Sequence, residues 1–355
     1  MANERNDMGS DEKDSAGSAD TTRSLTAGLA FSDRMEALLD GRVTVAGASL
    51  DIICRPPQAL FRSVLRDQVY DICEFSLGSH IATVAAGGSN YVGLPIFLSR
   101  AFRHGNVYVR ADRGITTPRD LIGRRIGVMD FHQTAAVWVR GILADHYGVE
   151  RSSIEWITGG LSAPVLEDRA PLDLPPSLSV TRSPQTLNAL LEAGAIDALI
   201  SPTAPALFVR GDPRVARLWP DHRTAESAYF HETGIFPIMH LLVLKRQRLD
   251  EAPGLPRALY TAFETARQFA CADIAQRDYP KIASPWLMAD RAQTLADLGA
   301  DPWTYGTSAN RTALEAILRY AEADGLTKRR LSPEDLFADV QGDDGLPPMD
   351  GQNGR

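Results

Sequence analysis

The sequence predicts an α/β protein of two lobes joined by two chain crossings. Three observations lead there. Apolar strands and helical stretches alternate from Leu25 onward; 355 residues, 44% hydrophobic and 23% charged, are enough for two cores; and the stretches 115–123 and 241–244 read as passages between lobes. A net charge of −8 argues against nucleic-acid and anionic-membrane binding, so any anion site is a local basic cluster. Three cysteines, Cys54, Cys73 and Cys271, form an odd set without metal-type spacing. They point to free thiols in a reducing compartment, and a cytoplasmic location is expected. The polar, acidic start lacks the apolar core of a signal peptide, and residues 1–24 are expected to be a disordered tail. No repeat or transmembrane segment is evident.

Taken in order, Leu25 to Phe31 reads as a strand, with Ser32 as N-cap of a short helix, which places Asp33 and Arg34 at a strand-to-helix junction. Val43 to Val45 and Leu50 to Cys54 alternate like strands, Pro57 opens a helix through Leu65, and Val69 to Phe75 returns as a strand. Glu74, Ser76 and Ser79 then follow an apolar strand at its carboxyl end, where open α/β sheets place ligands. The plainer reading makes Ser79 a helix cap and Glu74 a surface carboxylate. Pro95 to Leu98 and Asn106 to Arg110 read as strands, and Arg100, Arg103 and His104 crowd the connection between them. Arginine matches carboxylates as a planar fork and histidine titrates near neutrality, so this turn is either an anion clamp with an acid/base group or a solvated basic turn.

Ile115 to Gly123 reads as a proline-opened turn that crosses to the second lobe. There Ile126 to Met129 is a short buried strand, and Thr134 to Tyr147 carries apolar residues on several faces, as a largely buried helix does. The free amides of its first turn, near Gln133 to Ala136, suit a carboxylate or phosphate. An ordinary βα unit is the bland alternative. A strand from Ile154 to Thr158, a proline-rich surface loop from Leu161 to Ser179, a helix from Ser183 to Ala193 and a strand from Ile196 to Ile200 follow, with Ser201 and Thr203 at a cleft-facing edge or in a plain turn. Ala225 to His231 is helical, Leu241 to Leu244 makes the return crossing, and His240 falls near the hinge. Helices at 253–271, 285–298 and 309–323 pack back on the first lobe. The expected lobes are 25–122 with 238–337, and 123–237, and 338–355 is expected to be a flexible tail.

Several blocks carry a family likeness: Asp71 to Leu77 (DICEFSL), Leu94 to His104 (LPIFLSRAFRH), Thr134 to Gly141 (TAAVWVRG), Gly234 to His240 (GIFPIMH) and Asp301-Pro302-Trp303. In these blocks, from about Leu25 to Phe337, the chain resembles the 4,5-dihydroxyphthalate decarboxylase family. The resemblance implies a two-lobed type II periplasmic-binding-protein-like fold with a double crossover and central cleft. It also implies a carboxy-lyase acting on a hydroxylated aromatic acid without an organic cofactor. One junction departs from the pattern: Met129-Asp130-Phe131-His132-Gln133-Thr134 stands where Pro-Glu-Tyr-Gln-Met-Thr is expected. A related phenolic or amino-substituted acid therefore stays open as substrate.

For such a reaction a ring carbon must be protonated before carbon dioxide leaves. On the resemblance His104 is the expected proton donor, with His240 as alternative, and Glu74 accepts from a ring hydroxyl or orients a histidine. Arg34, Arg100, Arg103, Ser76, His132 and Thr134 are the expected substrate-binding groups. Trp138 either flanks the ring or belongs to the core. A divalent metal on Glu74, His104 and His240 stays open, although no close ligand spacing supports one. The expected partner is a small anionic aromatic acid, with no nucleic acid and no membrane; the sequence does not fix whether the chain forms a homo-oligomer. A solute-binding or sensing protein for an anionic aromatic, and a dehydratase on the same scaffold, are the competing readings; against the first stand the missing signal peptide and lipid-attachment cysteine.

Overall fold

A computed structural model describes residues 23–165, 174–275 and 281–340. The chain lays down β1 (Arg23–Leu29), α1 (Glu36–Leu39), β2 (Ala48–Cys54), α2 (Pro57–Arg62), β3 (Ile72–Ser76), α3 (Leu77–Ala85) and β4 (Tyr91–Arg100). It continues with β5 (Val107–Arg110), β6 (Arg125–Val128), α4 (Thr134–Tyr147), β7 (Glu155–Thr158), β8 (Ser179–Arg182), α5 (Leu187–Glu192), β9 (Ala198–Ile200), α6 (Ala206–Val209) and β10 (Val215–Arg217). Then come α7 (His222–Thr233), β11 (Ile238–Lys245), α8 (Arg246–Glu251), α9 (Leu255–Ala275), α10 (Leu287–Leu298) and α11 (Arg311–Ala323).

Two sheets result. The first has the order β2-β1-β3-β11-β4, and the second β10-β5-β9-β6-β7-β8. In the first, β1 runs parallel to β2 and β3, while β11 is antiparallel to both β3 and β4. The carboxyl ends of β1, β3 and β4 therefore share one edge with the start of β11. In the second, β6 is parallel to β7 and β9. Ligands of open α/β sheets lie beyond such carboxyl edges.

The first passage between sheets lies earlier than expected. β5 pairs with β9 and β10, so the chain leaves the first sheet at 101–106, not at 115–123, and residues 107–110 join the second sheet. The chain is back in the first sheet from Ile238, where β11 begins, and Leu241 to Leu244, expected as the return crossing, lies within β11 and is not itself a connection. Arg23 and Ser24, expected in the tail, begin β1 opposite Ala48 and Ser49, and residues 1–22 lie outside the described residues. Val43 to Val45 forms no strand, only a bridge from Val45 to Ala48. Part of the loop from Leu161 to Ser179, residues 166–173, lies outside the described residues, as do 341–355. At the far end, Ala338 N donates to Gly93 O at 2.8 Å and Val340 is buried, so the packed chain runs past residue 337. No described helix is long and apolar enough to cross a membrane.

Helix α4 explains why its sequence is apolar on several faces. Ala135, Val137, Trp138 and Ile142 pack into the core of the first sheet, while Ala136, Val139 and Leu143 pack into that of the second. A helix wedged between two cores has little polar face to spare. Its close approach to α11 requires Gly141, where a Cβ would fall 2.1 Å from the Tyr320 ring.

Candidate active site

The carboxyl edges of the two sheets meet where β3 turns into α3 and where the loop after β6 enters α4. Ser76 ends β3 and caps α3 by accepting from Ser79 N. Its Oγ lies 2.9 Å from Thr134 Oγ1 at the start of α4, and Thr134 Oγ1 also accepts from Gly78 N at 2.9 Å. Gly78 has no room for a side chain, since a Cβ would stand 2.5 Å from His132 O. Two helix amino termini, each the positive end of a dipole, are thus pressed together, an arrangement that favours negative charge nearby.

A histidine–carboxylate pair flanks each side of this contact. In the first sheet, His240 lies opposite Ser76 across the β3–β11 ladder, and its Nδ1 is 2.6 Å from Glu74 Oε1. Glu74 is buried, and its second oxygen accepts from Ala30 N at 3.0 Å. An ionised carboxylate can only accept, so Nδ1–H points to Glu74 and Nε2 of His240 is left for other partners. The Phe61 ring stands edge-on to the imidazole, 4.9 Å between centroids, and fixes its plane. In the second, the fully buried His132 places Nδ1 2.8 Å from Asp130 Oδ1. That approach is an ion-pair distance without hydrogen-bond geometry: neither ring nitrogen of His132 makes a hydrogen bond, and Gln133 Oε1 and Ser79 Oγ are likewise buried without partners. Each buried polar atom without a partner calls for an explanation, and a bound ligand is one.

Arg34 reaches over the carboxyl edge of the first sheet. It donates to Leu98 O at 3.0 Å, pairs with Asp33 at 2.8 Å and stacks on Trp303 at 4.1 Å from the ring centre. Arg103, in the passage between sheets, donates to Asn106 Oδ1 at 3.1 Å and touches Met239 Sδ. Burial pulls its guanidinium down to about 10, with Glu226 opposing the shift.

No protein-family model matches the chain. A 4,5-dihydroxyphthalate decarboxylase of Comamonas testosteroni is 39% identical over 307 residues, 86% of this chain and 93% of that protein. The chain belongs to the 4,5-dihydroxyphthalate decarboxylase family. It is accordingly an enzyme of the carboxy-lyase class. A second member, from Pseudomonas putida, is 39% identical over 199 residues, 56% of this chain and 77% of that protein. Among solved structures, a putative periplasmic sulfonate-binding protein of Methylobacillus flagellatus superposes with a TM-score of 0.51 at 13% identity, over 90% of this chain and 92% of that one. The fold is thus that of the periplasmic binding proteins, two α/β sheets with a double crossover.

Within this family member, the structure gathers Glu74, Ser76, Thr134, His132 and His240 at one interface, while three other expected groups are packed or bonded to partners of their own. His104, the expected proton donor, sits in an aromatic cage. It is buried among Trp219, Tyr229 and Tyr147, with centroids 5.0, 5.5 and 6.5 Å away, and neither ring nitrogen is bonded. Burial, with help from His146 and His222, pulls it down to about 4, so the ring is neutral at neutral pH. Arg100, expected to hold a carboxylate, ends β4 inside the core and donates to Phe236 O, Thr304 O and Asn310 Oδ1. Trp138 is core, donating to Ile238 O at 2.9 Å beside Tyr320. No group of three His, Cys, Asp or Glu able to hold an ion occurs among the described residues, and Glu74, His104 and His240 form none. The sequence reading passed over Asp130, whose signal was available: an acidic residue ending a buried strand, two positions before a histidine.

Proposed function

We propose that the enzyme decarboxylates a dihydroxylated aromatic acid of the 4,5-dihydroxyphthalate kind by protonating the ring carbon that bears the departing carboxylate. The observation that supports this reading is the Glu74–His240 pair at the carboxyl edge of the first sheet, on the strand pair that ends at Ser76, whose Oγ meets Thr134 two residues after His132. Both curated family members bear the name of that activity.

His240 Nε2–H delivers the proton to the ring carbon, while the Glu74 carboxylate orients the imidazole through Nδ1. The hydroxyl para to that carbon stabilises the cationic ring and passes its proton toward His132, giving a ketone-like intermediate. Cleavage of the carbon–carbon bond then returns the electron pair to the ring as carbon dioxide leaves, and the hydroxyl is restored. In sum, the ring gains one proton and loses one carbon dioxide. Arg34, Arg103 and the amino termini of α3 and α4 hold the carboxylates, chiefly the one that stays, because gripping the departing one would stabilise the ground state as much as the transition state.

The proton, its acceptor and the cations are all side chains of this chain, so the reading is cofactor-independent and treatment with EDTA is expected to leave the rate unchanged. Cys54, Cys73 and Cys271 are all unpaired, which supports a reducing, cytoplasmic setting. The test is release of carbon dioxide from 4,5-dihydroxyphthalate by the purified full chain. Formation of 3,4-dihydroxybenzoate in equal amount supports the reading; tight binding without turnover, or loss of water instead, overturns it.

A further inference from the structure

Helix α4 carries a charged side chain that the chemistry above does not use. Arg140 is fully buried, as is Asp324, the residue that follows α11. Nε and Nη2 of Arg140 both donate to Asp324 Oδ2, at 2.9 and 2.6 Å, and Arg151 Nε donates to Asp324 Oδ1 at 2.6 Å. Nη2 also donates to Phe131 O at 2.6 Å, and the guanidinium lies 3.9 Å over the Phe131 ring. Phe131 is the residue between Asp130 and His132.

A buried ion pair is a weak device for stability, because desolvation offsets most of its attraction and apolar replacements often do as well. Its use here is placement. Asp324 follows a helix packed in the first core, and Gly141, next to Arg140, fixes that helix against α4 through Tyr320. Arg140 transmits this fixed position to one backbone carbonyl, and that carbonyl sets the turn that carries both members of the Asp130–His132 pair.

We propose that Arg140, anchored by Asp324, is the positioning residue for the His132 imidazole. This rests on the decarboxylase reading for its kinetic arm only. The experiment uses the full chain with Arg140→Lys and Asp324→Asn, each alone and combined with His132→Asn. The readouts are steady-state decarboxylation and the ring-nitrogen NMR signals of ¹⁵N-labelled histidine. Arg140→Lys is expected to lower kcat about 100-fold, the size of effect a misplacement of about 1 Å has, with KM within threefold. In the His132→Asn background the same change is expected to cost less than threefold, because its effect passes through His132. The His132 signals shift in Arg140→Lys while those of His240 stay in place. An equal loss of kcat in both backgrounds, or unmoved His132 signals, overturns the proposal. If Arg140→Lys does not fold, Asp324→Asn, which keeps the shape and removes the charge, carries the same expectations. If no aromatic acid is turned over, the decarboxylase reading fails, and the NMR arm alone decides whether Arg140 holds His132.

Discussion

His240 on β11 and Glu74 on β3 lie on adjacent antiparallel strands, with Nδ1 2.6 Å from Oε1, so the sheet itself sets the orientation of the imidazole. Glu74 is in turn fixed by the backbone amide of Ala30 at 3.0 Å. Glu74→Gln keeps the shape and one hydrogen bond but removes the charge behind the ring. It is expected to lower kcat about 100-fold or more while KM changes little, measured as carbon dioxide release, as for other carboxylates that orient a catalytic histidine.

Arg100 looks like an anion clamp in the sequence and is a core strut in the fold. Its guanidinium ties the end of β4 to Phe236 O and Thr304 O, at 3.0 and 2.6 Å, and to Asn310. Arg100→Met is expected to destabilise the protein by about 2–3 kcal/mol, since it leaves buried acceptors without a donor. Equilibrium unfolding in urea measures this. At a temperature where the variant stays folded, KM is expected to remain within threefold; a rise of tenfold or more at unchanged stability would return Arg100 to the substrate.

His104 and His80 are both pulled by burial from an ordinary 6.5 to about 4. As the pH falls through 6.5 the unfolded chain takes up these protons first, and the folded chain resists until about 4. Folding stability therefore falls across that window, by up to about 1.4 kcal/mol per pH unit for each histidine, and neither contributes above it. His104→Leu is expected to make the fall shallower while leaving kcat at pH 7.5 within threefold. Parallel curves, or a large loss of kcat, would contradict the placement of His104 in its aromatic cage.

Ser76 bonds Thr134 at 2.9 Å and caps α3, so it joins the two sheets at the site. Ser76→Ala is expected to cost about 1 kcal/mol as a lost cap, read from thermal unfolding, and to raise KM by loosening the two amino termini against each other. An unchanged KM would remove Ser76 from substrate binding.

Much of the fold was legible because burial writes itself into local pattern. The apolar runs of β3 and β11 and the many-faced apolarity of α4 followed directly from their places in the cores. Glu74 and His240 were legible as candidates, but the bond between residues 166 apart was not. The same limit hid Arg140 and Asp324, 184 apart. The burial of His104 and Arg100 was hidden for one reason. Their charge suggested solvent or ligand, while partners far along the chain, Trp219 and Tyr229 for one and Thr304 and Asn310 for the other, bury them. The early passage between sheets was missed because β4 runs on through Ser99 and Arg100, polar residues that read as the start of a loop.

Proton delivery by His240 is the centre of the account, and its most direct measurement is turnover of 4,5-dihydroxyphthalate in deuterated water by the wild-type chain and by His240→Gln. The wild type is expected to release carbon dioxide and leave one deuterium on the vacated ring carbon, with the variant slower by about 10²–10⁴-fold at matched unfolding temperature. Decarboxylation by His240→Gln within threefold of the wild-type rate would contradict it.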